Sequence, residues 1–308
     1  PTRERHVSLI EHGAFPSDRY AAVSQLGWHG RDPAASFVQI APRAGEHLLR
    51  HEDLVVEIER QGSRLALVLL PGIQYLTGQW LDLQALADAA HRVGAVIGFD
   101  LAHAIGNVPL SLHDWNADFA VWCSYKYLNG GPGATAGAFV HERHFGSRAP
   151  RLAGWWGNDL ESRFEMAAEF RPYQGAAGWQ VSNHPLLGMV PLQASFALYA
   201  AAGLPALRAR SIALTGWLER LLEERLGDRI EILTPRAPAE RGAQLSVRLC
   251  GSRGNGRALF DRLLARRLTC DWREPDVIRL APAPLYNSYE DCWRAVVLIE
   301  SELNAARA

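Results

Sequence analysis

GFDLAHAIGNVPLSLHDWNADFAVWCSYKYLNGGPGATAG, residues 98–137, decides how this chain folds. It opens at the end of a short apolar strand, 95–99, whose last position hands the chain to Asp100. A second apolar run, 118–123 (DFAVWC), delivers Ser124, Tyr125 and Lys126 at its end and is followed by Gly130, Gly131, Gly133 and Gly137. A final strand is expected over 136–141. Upstream, residues 64–70 (RLALVLL) read as a buried strand and 82–93 as an amphipathic helix with Leu83, Leu86, Ala87, Ala90 and Val93 near one face. Strand-length apolar runs alternating with helical patterns predict an α/β class, with a mainly parallel sheet flanked by helices. In such sheets ligands bind outside the carboxyl ends of the strands, which is where Asp100 and Lys126 both fall.

From about residue 185 the pattern changes to a helical stretch over 187–226, interrupted near Gly203 and Pro205. Beyond it, strands at 230–233, 243–249, 268–272 and 277–280, a helix at 256–266 and a closing helix at 288–305 describe a small α+β domain. The expected division is a large domain over 1–190 and a small one, with its linking helix, over 191–308. The chain opens at Pro1 without a methionine, so a further upstream segment is expected.

A formal net charge of −1 gives no field to attract nucleic acid or anionic lipid. No apolar run reaches the roughly 18 residues that span a bilayer, so no membrane partner is expected. Cys123, Cys250, Cys270 and Cys292 have neither metal-site spacing nor disulfide density, which points to a reduced, cytoplasmic compartment. Of 32 Lys and Arg residues only Lys126 is lysine. Arginine cannot form an imine, whereas an amine can lose a proton, attack a carbonyl and act as a base, so the lone lysine asks for a chemical explanation.

Taken singly, Asp100 reads as a helix N-cap, His103 as a core histidine and Lys126 as a solvated cation. Together, a strand-end Asp, a His three residues on and a strand-end Lys before a glycine-rich turn form the pattern of pyridoxal 5'-phosphate (PLP) enzymes of fold type I. There the Asp keeps the pyridine nitrogen protonated, the His lies beside the ring near its phenolic oxygen, and the lysine amine bonds the cofactor aldehyde and later moves the substrate α-proton.

The runs 98–115 and 123–133 (CSYKYLNGGPG) resemble kynureninase, and the likeness extends from Phe15 to residues 279–287 (RLAPAPLYN). The resemblance implies a PLP-dependent transferase fold type I homodimer. Its implied reaction is hydrolytic Cβ–Cγ cleavage of L-kynurenine, or 3-hydroxykynurenine, to an anthranilate and L-alanine, in tryptophan degradation and NAD biosynthesis. It implies that Phe15, Pro16, Ser17 and Asp18 form a loop at the cofactor, with the Phe15 ring stacked on the pyridine. Tyr125 would contact the phosphate and donate a proton to the substrate β-carbon. Trp155 and Asn183 would line the cofactor and substrate pocket across a dimer interface. Arg279 would hold the substrate α-carboxylate, a task that suits its two-pronged guanidinium. Pro71 stands where some relatives carry a hydroxyl residue, and offers the cofactor only its backbone. The family pattern also carries an N-terminal portion ahead of Phe15, which would supply a phosphate-cradling helix N-terminus and a substrate-side histidine.

Two other readings remain open from the residues. One is a cysteine-desulfurase-like or aminotransferase-like PLP enzyme, although Cys123 is expected inside a buried strand rather than on a mobile loop. The other is an inactive homologue that serves as a dimerising partner. A dinucleotide-binding fold is disfavoured, because no GxGxxG follows an early strand.

Overall fold

In the computed structural model, which describes residues 2–147, 149–250 and 255–305, the strand expected at 64–70 forms the middle of a six-stranded sheet. In chain order the first half runs β1 (Val7–Glu11), α1 (Pro16–Trp28), α2 (Pro33–Ser36), β2 (Phe37–Ile40), α3 (His51–Gln61), β3 (Leu65–Pro71), α4 (Leu83–Arg92), β4 (Val96–Asp100), β5 (Phe119–Trp122) and β6 (Gly137–Val140). Spatially the order is β2-β1-β3-β4-β5-β6, parallel through β5 and antiparallel at β6. Parallel strands must be buried on both faces, and the apolar, β-branched runs of β1, β3 and β4 meet that demand. Leu9, Leu65, Val68, Ile97 and Phe99 join Leu54 and Ile58 of α3 and Leu86 and Ala90 of α4 in one core. Helix α4 begins where Asp82 accepts a hydrogen bond from the Ala85 N–H (3.1 Å) and ends at Gly94, whose φ of +75° suits a residue without a Cβ.

The second half follows with α5 (Leu186–Ala202), α6 (Leu204–Leu226), β7 (Ile230–Ile232), β8 (Leu245–Leu249), α7 (Asn255–Ala265), β9 (Asp271–Arg273), β10 (Val277–Leu280) and α8 (Tyr289–Ala305). Gly203 and Pro205 break the helical stretch as expected, and the path turns by 84° between 186–202 and 204–229. An antiparallel sheet of order β7-β8-β10-β9 packs on α6, α7 and α8 around a separate core that includes Leu222, Leu263, Ile278 and Val296. The expected boundary at 190 lies inside α5. Among the described residues no single helix is long and apolar enough to cross a membrane.

One expectation is corrected. Residues 15–18 are not a loop: Phe15 is the N-cap of α1, Pro16 opens the helix and Asp18 sits in its first turn. Proline at the first helical position and an acidic residue in the first turn are helix-start signals, and here they outweigh the turn reading of Phe-Pro-Ser-Asp.

Two positions expose the constraints on this sheet. A Cβ on Gly98 would lie 2.0 Å from Cζ of Phe119, its register partner on β5. Gly98→Ala is therefore expected to destabilise the fold by about 1–3 kcal/mol. Gly98→Ala/Phe119→Ala should recover part of that loss in denaturant melts; additive losses would refute the clash.

Glu11, at the carboxyl end of β1, is 2% exposed and accepts one hydrogen bond from Gln74 Nε2 (3.2 Å). Burial, with smaller contributions from the nearby Asp18 and Asp100 charges, raises its pKa from 4.5 to about 8. The fold thus keeps a proton that the unfolded chain loses above about pH 4.5, and the stability this gives is lost as pH rises through about 8. Between pH 5 and 9 the wild-type unfolding free energy is expected to fall more steeply than that of Glu11→Gln. Parallel slopes would mean that Glu11 is ionised inside the fold.

Candidate active site

The carboxyl ends of β1, β3, β4 and β5 meet along one sheet edge. Asp100 closes β4, with Oδ1 accepting from Ala102 N–H (2.8 Å) and its carbonyl from Gly72 N–H (2.7 Å). It therefore does cap the following turn, while the side chain also faces Asp18. Pro71 is its register partner on β3. A Cβ on Gly72 would come within 2.7 Å of Leu101 and 2.9 Å of Ala104, so a glycine lets this strand end approach the Asp100 turn closely.

That turn presents His103, 8% exposed, with its carbonyl accepting from Asn107 Nδ2 (2.9 Å) and its ring edge-on to Tyr127 at 5.9 Å. Its Nδ1 is buried and has no hydrogen-bond partner. Burial, then the charges of Lys126, Arg279 and Arg273, drives its pKa down to about 2, so the ring is neutral.

Strand β5 ends at Trp122, one residue earlier than expected. This leaves Cys123 half-buried beyond the strand, near the Tyr125 hydroxyl, and its proximity raises the phenol's pKa. A tight turn follows, in which Gly130 N–H donates to Ser124 O (2.9 Å) and Asn129 N–H to Lys126 O (3.0 Å). The Lys126 ammonium lies 5.6 Å from the Phe15 ring centroid and 5.9 Å from that of Tyr125. Burial holds its proton affinity below the ordinary lysine range, partly offset by the proximity of Cys123 and Asp100. Asp18, in the first turn of α1, is pushed up to about 7 by burial, by the Asp100 charge and by a shared hydrogen bond with Asp100. Ser17 offers Asp18 a hydrogen bond from the exposed start of the helix. The two carboxyls and the amine thus occupy one half-buried neighbourhood beside Phe15.

Facing them is a cavity of about 370 Å³ lined by His103, Tyr125, Lys126, Tyr127, Arg273 and Arg279, among others. Arg279 reaches it from β10 of the small sheet, 8% exposed, donating from Nη1 to the Tyr75 carbonyl (2.5 Å) and from Nη2 to Asp271. Its burial lowers the guanidinium's proton affinity.

The expected residues therefore divide. Phe15, Asp18, Asp100, His103, Tyr125, Lys126 and Arg279 converge, with Pro16, Ser17 and Pro71 immediately behind them. Trp155 and Asn183 do not line this cavity within the chain. Trp155 stands 46% exposed on a short helical turn, edge-on to Phe164 at 5.3 Å, and Asn183 is exposed and accepts from Ser182 Oγ (3.1 Å).

Sequence reasoning missed Tyr75, Tyr127, Asp271 and Arg273. For the last two a signal existed. The alternation Asp271-Trp272-Arg273 puts two charged residues on one strand face, opposite a strand carrying Arg279, an arrangement that a buried core face would not tolerate. Tyr75 acts through its backbone carbonyl, which no side-chain pattern encodes.

Solved structures with the same architecture include the cysteine desulfurase CsdA from Escherichia coli (TM-score 0.80, 15% identity, 98% of this chain and 74% of that one). A C-DES variant with glycine covalently linked to its PLP cofactor aligns at TM-score 0.79 and 17% identity over 97% of this chain and 75% of that one. An alanine–glyoxylate aminotransferase from Nostoc sp. aligns at TM-score 0.72 and 21% identity over 98% and 76%. At these identities the likeness carries the PLP fold type I architecture alone. Residues 207–299 match a family model described as the kynureninase C-terminal domain. A kynureninase of Koribacter versatilis is 53% identical over 99% of this chain and 71% of its own length, and those of Xanthomonas campestris pv. campestris and Stenotrophomonas maltophilia are each 53% identical over 98% and 71%. With that identity spread over nearly all of the chain and over two thirds of each relative, the chain belongs to the kynureninase family.

Proposed function

We propose that this protein binds PLP through Lys126 and hydrolyses the Cβ–Cγ bond of L-kynurenine or its 3-hydroxy analogue, giving an anthranilate and L-alanine. The observation that carries the proposal is a half-buried amine with lowered proton affinity set between a carboxyl pair and a cavity whose far wall holds a buried guanidinium. The pocket suits the cofactor ring: an aromatic face at Phe15, a carboxyl pair at Asp100 and Asp18 for a pyridinium, and a buried, unpartnered Nδ1 on a neutral His103. When bound, PLP supplies the electron sink that makes bond breaking beside the substrate α-carbon possible.

The chain's own groups do the rest. Arg279 pairs with the α-carboxylate and fixes which substituents face Lys126. The Lys126 amine, whose proton affinity burial lowers, takes up the α-proton. Water adds to the γ-carbonyl, the aryl acid leaves, and the β-carbon takes a proton from Tyr125, whose hydroxyl stays protonated because its pKa is raised. Residues 1–190 would hold the cofactor, and 191–308 would bring Arg279 to it.

We further propose that the working form is a cytoplasmic homodimer. Leu152, Trp155, Phe164, Val181, Leu187 and Val190 are exposed apolar side chains in the single chain, and a second copy covering them would explain why Trp155 and Asn183 stand away from their own cavity.

Adding PLP to the purified protein should produce an absorbance band near the visible edge, and kynurenine should then release fluorescent anthranilate. Lys126→Ala should abolish the band and lower turnover by about 10³-fold or more. A band without anthranilate would assign a different PLP reaction, and no band would overturn the proposal. Sedimentation should give twice the chain mass, and Leu187→Glu should shift it toward monomer and weaken PLP uptake. A wild-type monomer with full activity would refute the dimer.

A further inference from the structure

Arg279 is already engaged by groups of the chain itself. Asp271 and Arg279 are direct cross-strand partners on β9 and β10, and the Asp271 carboxylate bonds Arg279 Nη2. Nη1 is committed to the Tyr75 carbonyl, which is itself fixed: Gln74 Oε1 accepts from the Leu76 and Thr77 N–H groups (2.7 and 2.8 Å), and Gln244 Nε2 donates to the same Tyr75 oxygen (3.0 Å). The Nε hydrogen has no partner and is buried. The fork therefore has one nitrogen held by an immovable carbonyl, one held by a carboxylate, and one vacant.

A substrate carboxylate that pairs side-on needs Nε and Nη2 together, so it meets Asp271 at Nη2. Two carboxylates on one guanidinium repel each other, and one must yield. Asp271 has somewhere to go. Its side chain is 44% exposed and lines the cavity, and its Oδ2 already accepts from Arg273 Nε (3.1 Å) and pairs with Arg273 Nη2 at 3.1 Å. Arg273 also faces the cavity, with its guanidinium 5.8 Å from the Tyr75 ring centroid.

We propose that Asp271 is an exchangeable counter-ion of the substrate-carboxylate site. It holds Arg279 in place while the pocket is empty and passes to Arg273 when an α-carboxylate takes Nε and Nη2. This rests on the assignment of Arg279 as the carboxylate anchor and extends it. The exchange makes substrate affinity a difference between two carboxylates, so a ligand that lacks a carboxylate leaves Asp271 where it is. The exchange would also ease departure of the product alanine, by offering Arg279 a replacement anion.

The test reads carboxylate binding apart from turnover. L-Alanine is titrated calorimetrically into the PLP-treated full chain as wild type, Asp271→Asn, Arg273→Gln and the double variant, and kynurenine KM is measured alongside. Asp271→Asn, which keeps the shape and removes the charge, should tighten L-alanine and lower KM by about 5-fold, the weight of a partly exposed ion pair. Arg273→Gln should weaken binding by a similar factor in the wild-type background and have no effect in the Asp271→Asn background, because it acts only through Asp271. Asp271→Ser provides a second uncharged variant should Asn disturb the strand. Weaker alanine binding in both uncharged variants would overturn the proposal and make Asp271 a fixed orienting group. An equal Arg273→Gln effect in both backgrounds would overturn it by making Arg273 a direct ligand contact. Absence of kynurenine turnover with the alanine pattern intact would sink the proposed reaction and leave the exchange standing.

Discussion

An amine that is only partly solvated, set against carboxyls that are only partly solvated, is the constraint on which the rest of this pocket depends. Water would stabilise the ions of Lys126 and Asp18 better than protein does, and each pays for burial with a displaced proton affinity, downward for the amine and upward for Asp18. The sheet imposes this cost. Parallel strands bring their carboxyl ends to one edge, and the short links at Gly72 and in the Ser124–Gly130 turn leave little room for water between them. The arrangement is poor for stability and useful for a cofactor, since a bound aromatic ring with a basic nitrogen and an aldehyde would satisfy the groups that protein alone leaves strained.

The second sheet matters because Arg279, the proposed carboxylate anchor, comes from it. Arg279 is too buried to orient itself by water contact, and its direction is set by the backbone of the large domain at Tyr75. The same turn ties to the small sheet through Ser246, whose hydroxyl donates to Leu76 O, and through Gln244. Tyr75 packs edge-on to Phe15 at 5.4 Å. Three residues of backbone thus register the Phe15 ring against the Arg279 fork, so the geometry between them follows from the packing between two cores that are otherwise separate.

Much of this was legible in the sequence. The strand end at Asp100 and the strand that leads toward Lys126 followed from apolar run lengths, and the break at Gly203 and Pro205 from two residues whose backbone preferences oppose a helix. The start of α1 was obscured because a motif read through resemblance displaced the plain signal of Pro16 and Asp18. Asp271 and Arg273 were obscured for another reason: their meaning lies in strand pairing across β9 and β10, a non-local relation that a single chain's periodicity does not carry. Trp155 and Asn183 mark the opposite limit, residues given roles that one chain's own fold does not bring to its cavity.

The contrast between the two ends of the large sheet explains why one is read as a site and the other is not. At the opposite end, Asp118 is 3% exposed and also lies beside a cation, Arg143, yet its oxygens are fully engaged: Oδ2 by His91 Nε2 (2.9 Å) and the Ile97 N–H (2.8 Å), and Oδ1 by His144 Nε2 (2.7 Å). Although burial is the largest influence on Asp118 and acts upward, those hydrogen bonds together outweigh it and hold the carboxyl below its ordinary range. The cluster gains by staying as it is, and its charge adds stability that is lost only as pH falls through that lowered pKa. At the Lys126 end the balance is reversed: His103 Nδ1 and Arg279 Nε lack partners and Asp18 is driven toward its neutral form. Burial and charge are common to both ends. Unmet hydrogen-bonding capacity is not, and it is this that separates a charged cluster built to hold the sheet from one built to receive a ligand.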